Sequence, residues 1–307
     1  MTTRLLRLLT SVAALLLFAL PAHAQNAADV DIITPHITDA HEIEIPWPTW
    51  PAMHKVVELP RWAPIEVPVI GPVDMSLTKH VVWMLIAALT ICLLLIFAAN
   101  AQGRQTRTAG HSKGFAGGIE AMVLYIRNEV IIPNVGHHGN GFVPFLLTLF
   151  FFILFCNLWG IFPWGSTATG NISVTATLAL LTFFVVEAAG MRAQGIGYLN
   201  TIFYWNKDVN IVLRILLFVI LTPIEFIGKL TKPFALAIRL FANMTAGHIV
   251  VLALIGMIFA FKSIASGAPF LMAVAINTLE LFVAFLQAFI FTLLSSVFIG
   301  QIREAHH

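Results

Sequence analysis

Between Val209 and Phe261 the chain is mostly apolar for 53 residues, and between Leu271 and Ile302 for another 32. As helices these runs would be about 80 Å and about 48 Å long, whereas bilayer hydrocarbon is about 30 Å thick. Neither fits as a single upright span. Either the first run folds back on itself, or both lie steeply tilted, almost in the membrane plane. Gly267 and Pro269 mark the turn between them. Two long slanting helices would make a wall against some membrane partner. Composition points the same way, with 59% of residues hydrophobic and 10% charged, where a soluble domain has about 45–50% and about 25%. A water-soluble globule is excluded. A net charge of +2 without a basic patch also excludes a disordered chain and a nucleic-acid binder. The expected fold class is an all-α polytopic membrane protein. It combines upright transmembrane helices, one amphipathic surface helix, and the two long, strongly tilted helices as a hairpin.

Residues 1–24 read as a cleaved secretory signal peptide. Arg4 and Arg7 form a basic start, Val12–Leu20 an apolar core, and Ala22-His23-Ala24 a small-residue cleavage site. Residues 25–77 form a Pro-rich acidic arm. From Gln25 to Lys79 there are eight acids against three bases, and seven prolines fall between Pro46 and Pro72. That density predicts extended, polyproline-like chain. His36, His41 and His54 fit no zinc-ligand spacing. Cys92 and Cys156 lie inside apolar runs and read as small hydrophobes.

Residues 78–303 form the membrane domain. Thr78–Ala99 is long enough to span. A polar, basic stretch follows, with Arg104, Arg107 and Lys113. Then Ile119, Met122, Val123, Ile126 and Val130 recur at helical spacing opposite Glu120, Arg127 and Glu129, as in a surface-lying amphipathic helix. Gly139 and Gly141 break the chain before a second span, Phe142–Phe162. A charge-free turn leads to a third span near Ile172–Ala189, whose one charge is Glu187. The loops after the first and third spans carry the bases and the arm is acidic. The positive-inside rule therefore places the arm in the periplasm, and the basic loops and C-terminus in the cytoplasm, of a bacterial inner membrane.

Two charges stand out within the long runs. Arg239 is the one charged side chain from Phe234 to Phe261, and Glu280 the one from Ser263 to Ile302. An arginine at mid-bilayer costs at least about 2.5–3.5 kcal/mol, so function is its default explanation; the alternative is structural pairing with Glu280. Glu225, Lys232 and Arg239 are seven apart, so each step turns only about 20°. Asn243 adds 40°, and His248 is about 180° round from Arg239. Glu280 and Gln287 share a face of the next helix. Polar groups thus form two tracks, one near His248 and Glu280, the other near Glu225. Carboxylates and imidazole carry protons, whereas guanidinium does not release its own. An arginine between two wet half-paths blocks proton hopping and attracts a carboxylate supplied by another chain.

The stretch Pro233-Phe-Ala-Leu-Ala-Ile-Arg-Leu-Phe-Ala-Asn-Met-Thr-Ala-Gly-His248 resembles the P-x5-R-L-F-x-N-M-x-A-G-[EH] motif of the subunit a family of F-type ATP synthases. Asn157-Leu-Trp-Gly-Ile-Phe-Pro163, Asn171-Ile-Ser-Val-Thr175 and Leu279–Phe291 support it, and the likeness runs from about Thr78 to Arg303. The resemblance implies a proton-translocating stator subunit without a catalytic site or cofactor of its own. Its partners would be the rotor c-ring, the subunit b peripheral stalk, the rest of the complex and the lipid bilayer. Residue by residue, it implies that Arg239 faces the rotor carboxylate with Asn243 beside it. His248 and Glu280 would line the outer half-channel, Gln287 lie near the arginine, and Glu225 serve the cytoplasmic half-channel. Some members carry the acid and imidazole in exchanged order, which implies that positions 248 and 280 are close in space. Where many members have an acid before the third span, this chain has Asn171.

Two other classes make different demands. A secondary transporter predicts an internal repeat or inverted symmetry, and the sequence has none. An intramembrane hydrolase needs a nucleophile or metal motif. His137-His138 is a paired-histidine feature, but it comes without H-E-x-x-H or G-x-S-x-G.

Overall fold

The computed structural model describes residues 37–46, 54–67, 71–109, 114–136, 139–162, 165–195, 197–198, 210–261 and 266–304. The expected signal peptide, His36, His137, His138, Lys207 and Asp208 lie outside them.

The long run becomes one unbroken helix, α6 (Ile211–Phe261), of 51 residues. It passes through Pro223 and Pro233, so the fold-back alternative is excluded. Each proline removes one backbone bond. Membrane helices tolerate this because neighbouring groups and local adjustment satisfy what is freed. The helix is about 77 Å long, well over twice the hydrocarbon thickness. The next helix, α7 (Gly267–Glu304), begins at Gly267. The predicted turn residues Gly267 and Pro269 therefore form its first turn, where proline lacks no needed N–H.

The other helices are shorter. They are α1 (Lys79–Ala109), α2 (Gly114–Tyr125), α3 (Ile132–Val135), α4 (Val143–Ile161) and α5 (Ile172–Gln194). Among the described residues, five helices are long and apolar enough to cross a membrane. α1 continues ten residues past its expected end at Ala99, through the stretch expected as a polar loop. The residues there, Ala101, Gln102, Arg104 and Gln105, are good helix formers. α5 likewise runs to Gln194. The break before α4 falls at Gly136, whose φ of +79° suits glycine, while Gly139 and Gly141 sit in a 3-10 turn (Gly139–Phe142).

The amphipathic segment is real but its apolar face is covered by protein. A π-helical turn (Ile126–Ile131) joins α2 to α3, and Ile126, Val130, Ile131 and Val135 are buried. α2 packs on α1, and α3 on α7. On the polar side Gln102 Nε2 donates to Glu120 Oε1 at 2.6 Å.

α4 is the centre of the bundle. Leu146, Phe150, Phe151 and Ile153 are fully buried among Ala284, Ala288 and Ile299 of α7 and Leu240 and Met244 of α6. In lipid the apolar tails compete equally for such surfaces, so helices are held by close packing and polar ties. Asn157 Nδ2 donates to the Ala284 carbonyl at 3.2 Å, and Thr169 Oγ1 donates to Asn157 Oδ1 at 2.5 Å. The opposite side of α1 is an exposed apolar stripe of Leu85, Leu89, Leu93 and Phe97.

The described part of the arm is not a polyproline strand. It forms two antiparallel hairpins, β1 (Glu42–Pro46) with β2 (His54–Glu58), and β3 (Ile65–Val67) with β4 (Gly71–Val73). Two-stranded hairpins have only edges, and an edge accepts proline wherever its missing N–H faces outward. Pro46 ends β1, and Pro72 stands opposite Glu66.

Candidate functional site

The face of α6 that carries Arg239 is set by a heptad-like core stripe. Pro233, Leu236, Ala237, Leu240 and Met244 are buried, at spacings of three and four. Everything about 100° or more away from that stripe is pushed outward. Arg239 and Asn243 are both exposed, flanked by exposed Ala235, Ala242 and Ala246. Among the described residues no carboxylate pairs with Arg239. The structural pairing with Glu280 is thus absent, because Glu280 is turned to another partner.

That partner is His248. Its Nδ1 is 3.9 Å from Glu280 Oε1, with the two side chains 15% and 5% exposed. The approach depends on Gly247. A Cβ there would sit 3.2 Å from Glu280 Oε1, tighter than ordinary contact. His248 lines two cavities, and Glu280 lines the larger of them. The larger one, about 450 Å³, is lined mainly by apolar groups such as Val251, Ile255, Ile258 and Phe270, with Asn277. A small polar one, about 10 Å³, reaches from His248 to Thr245, Ser166, Thr167 and His80. Gln287, one heptad on from Glu280, is buried as well. Asn171, at the start of the third span, caps α5: its Oδ1 accepts the Ser173 N–H at 2.9 Å.

On the other side of Arg239, Glu225 and Lys232 line a third cavity of about 170 Å³ between α5, α6 and α7. Sequence reasoning missed the residues that complete it. Lys229 Nζ donates to the Tyr198 hydroxyl at 2.6 Å and lies 3.7 Å from Glu187 Oε1. Tyr198 in turn donates to Glu187 Oε2. Two signals were available: Glu187 is the only acid of its span, and Lys229 lies one helical turn after Glu225. Tyr198, beyond the glycine turn at Gly195, carried none.

The profile of the ATP synthase A chain family matches residues 81–300, more than two thirds of the chain. The chain belongs to that family. A protein named ATP synthase subunit a from Chloroherpeton thalassium is 48% identical over 268 residues, covering 87% of this chain and 74% of its own. ATP synthase subunit a 2 from Chlorobium luteolum is 42% identical over 307 residues, covering 94% and 83%. ATP synthase subunit a 2 from Prosthecochloris aestuarii is 42% identical over 296 residues, covering 93% and 83%. Membership and the five apolar helices together make the chain a multi-pass membrane subunit of an ATP synthase.

Proposed function

We infer that this chain is the proton-translocating stator subunit of an F-type ATP synthase in a bacterial inner membrane, its arm periplasmic and its C-terminus cytoplasmic. α6 and α7 form the tilted hairpin that faces the rotor. The observation that carries the reading is the placement of Arg239: exposed, without a carboxylate partner among the described residues, and along α6 between a cavity lined by Glu225 and Lys232 and another lined by His248 and Glu280. A helix face of alanines around an arginine lets a rotor helix approach closely and offers its carboxylate one strong partner.

In this reading a proton arrives from the periplasm at His248 and Glu280 and neutralises a rotor carboxylate. Once neutral, that carboxyl enters lipid without the cost of a bare charge. After nearly a full turn it meets the cavity of Glu225, Lys232, Glu187 and Lys229 and releases the proton to the cytoplasm. Arg239 favours the ionised rotor carboxylate and, since it does not give up its own proton, keeps the two half-paths from joining. Each proton crossing releases about 2.3 kcal/mol per 100 mV, so several are summed for each ATP formed in the distant catalytic head. The subunit b stalk holds the chain against the rotor's torque.

Cysteine cross-linking tests the facing surface. Ala242→Cys and Ala246→Cys should cross-link to cysteines on the rotor's outer helix, whereas Met244→Cys should not; the reverse pattern would contradict the reading.

A further inference from the structure

The reading above leaves the arm without a task, and the small polar cavity beside His248 supplies one. Residues 39 and 40 are pinned on the first turn of α1. The Lys79 N–H donates to the Ala40 carbonyl at 2.8 Å, and the His80 N–H donates to Asp39 Oδ1 at 3.1 Å. A carboxylate at a helix N-terminus is favoured by the exposed N–H groups and their dipole. The same oxygen is 2.9 Å from Nδ1 of the His80 ring. That ring is almost completely buried and lines the cavity whose far wall is His248. Asp39, by contrast, is 29% exposed and reaches solvent. Ser166, also buried, lines the cavity with an Oγ that has no hydrogen-bond partner among the described residues, and the volume, about 10 Å³, suits about one water.

We propose that Asp39 and His80 form the outer end of the proton path, a relay through which protons pass from the arm's surface, by way of the Ser166-lined cavity, to His248 and Glu280. The proposal rests on the role of His248 and Glu280 in the reading above. The groups around the ring suit the task. Asp39 faces it from the arm, Lys79 adjoins it on α1, and His248 faces it from α6. The loop before α5 contributes neutral Ser166 and Thr167. Farther out, His41 Nε2 lies 4.0 Å from Asp74, and its Nδ1 is 3.1 Å from the Leu77 carbonyl. The step balances simply. The His80 ring gains one proton from the periplasmic side and becomes an imidazolium held by the Asp39 carboxylate. It then loses one proton toward His248 and returns to neutral imidazole. The arm thereby supplies, from a different part of the chain, the titratable pair that the Asn171 loop lacks. The larger cavity also reaches Glu280, but its walls are mainly apolar and offer a proton few groups to bind.

The test uses the complete ATP synthase in liposomes, driven by an imposed proton gradient, with the pH on the arm's side varied. His80→Gln should slow ATP synthesis about tenfold or more at neutral to alkaline pH on that side, recovering toward acid pH where bulk protons are abundant. Asp39→Asn should change the rate in the same direction by less, and Asp39→Glu should restore it. If His80→Gln fails to assemble, Asp39→Asn decides, since its partly exposed amide keeps an oxygen for the His80 N–H. Wild-type rates and pH profile in both variants, with Glu280→Gln slow in the same preparation, would overturn the relay and assign access to the larger cavity. A uniform loss with an unchanged pH profile would also overturn it, as a purely structural role predicts. A wild-type rate in Glu280→Gln would instead sink the underlying reading.

Discussion

The carboxylate of Glu280 lies 3.9 Å from the imidazole of His248, on the neighbouring helix, with both side chains largely shielded from solvent. That distance is too long for a direct hydrogen bond, so a proton passes between the two through one water or after a small side-chain movement. Glu280→Gln removes the acid and keeps the shape. Passive proton flux through the membrane sector should fall sharply while the subunit still assembles; unchanged flux would count against the pair. Exchanging the two residues, His248→Glu with Glu280→His, should retain more flux than either single change.

Gly247 leaves room on α6 for the Glu280 side chain. Gly247→Ala places a methyl 3.2 Å from Glu280 Oε1, so the carboxylate must yield by a few tenths of an ångström and flux should fall modestly. Gly247→Val should cost about 1–3 kcal/mol of overpacking. A lower melting temperature of the detergent-solubilised complex checks this, and an unchanged one contradicts the close approach.

Lys229 and Glu187 are a shielded ion pair, 12% and 17% exposed. Removing one partner of such a pair costs about 3–5 kcal/mol, because a charge is left without compensation, whereas replacing both with apolar groups is often neutral. Lys229→Met should therefore destabilise the subunit more than Lys229→Met with Glu187→Leu. Equal melting temperatures for the single and double variants would show that the pair is not coupled.

Docking of the arm depends on pH through Asp39. Burial alone would raise its carboxyl, but the His80 ring and the His80 N–H outweigh that and hold it at about 2, against an ordinary 3.8. A depressed folded value means the stabilisation is fully present above pH about 4 and is lost as the pH falls through about 2. Hydrogen exchange at residues 37–46 should rise over that window on acidification, and Asp39→Asn should abolish the dependence. A flat profile in the native chain contradicts the docking.

The sequence made the membrane core legible where periodicity and length are strong physical constraints. The phase of Glu225, Arg239 and Asn243 on α6 followed from 100° per residue, and the nearness of His248 to Glu280 from their exchange between family members. Proline misleads in the arm, where its density predicts extended, polyproline-like chain and the described residues instead pair into two hairpins. Cross-strand partners there satisfy the backbone groups that proline leaves. The contacts Asp39–His80 and Glu187–Tyr198–Lys229 were not legible, because each joins separate elements and no spacing rule links them.

The most direct measurement of the central claim is ATP synthesis by the reconstituted complex carrying Arg239→Ala. Loss of coupled synthesis is the predicted result, with assembly intact and protons leaking through the membrane sector. Synthesis at the wild-type rate would contradict Arg239 as the barrier between two half-paths.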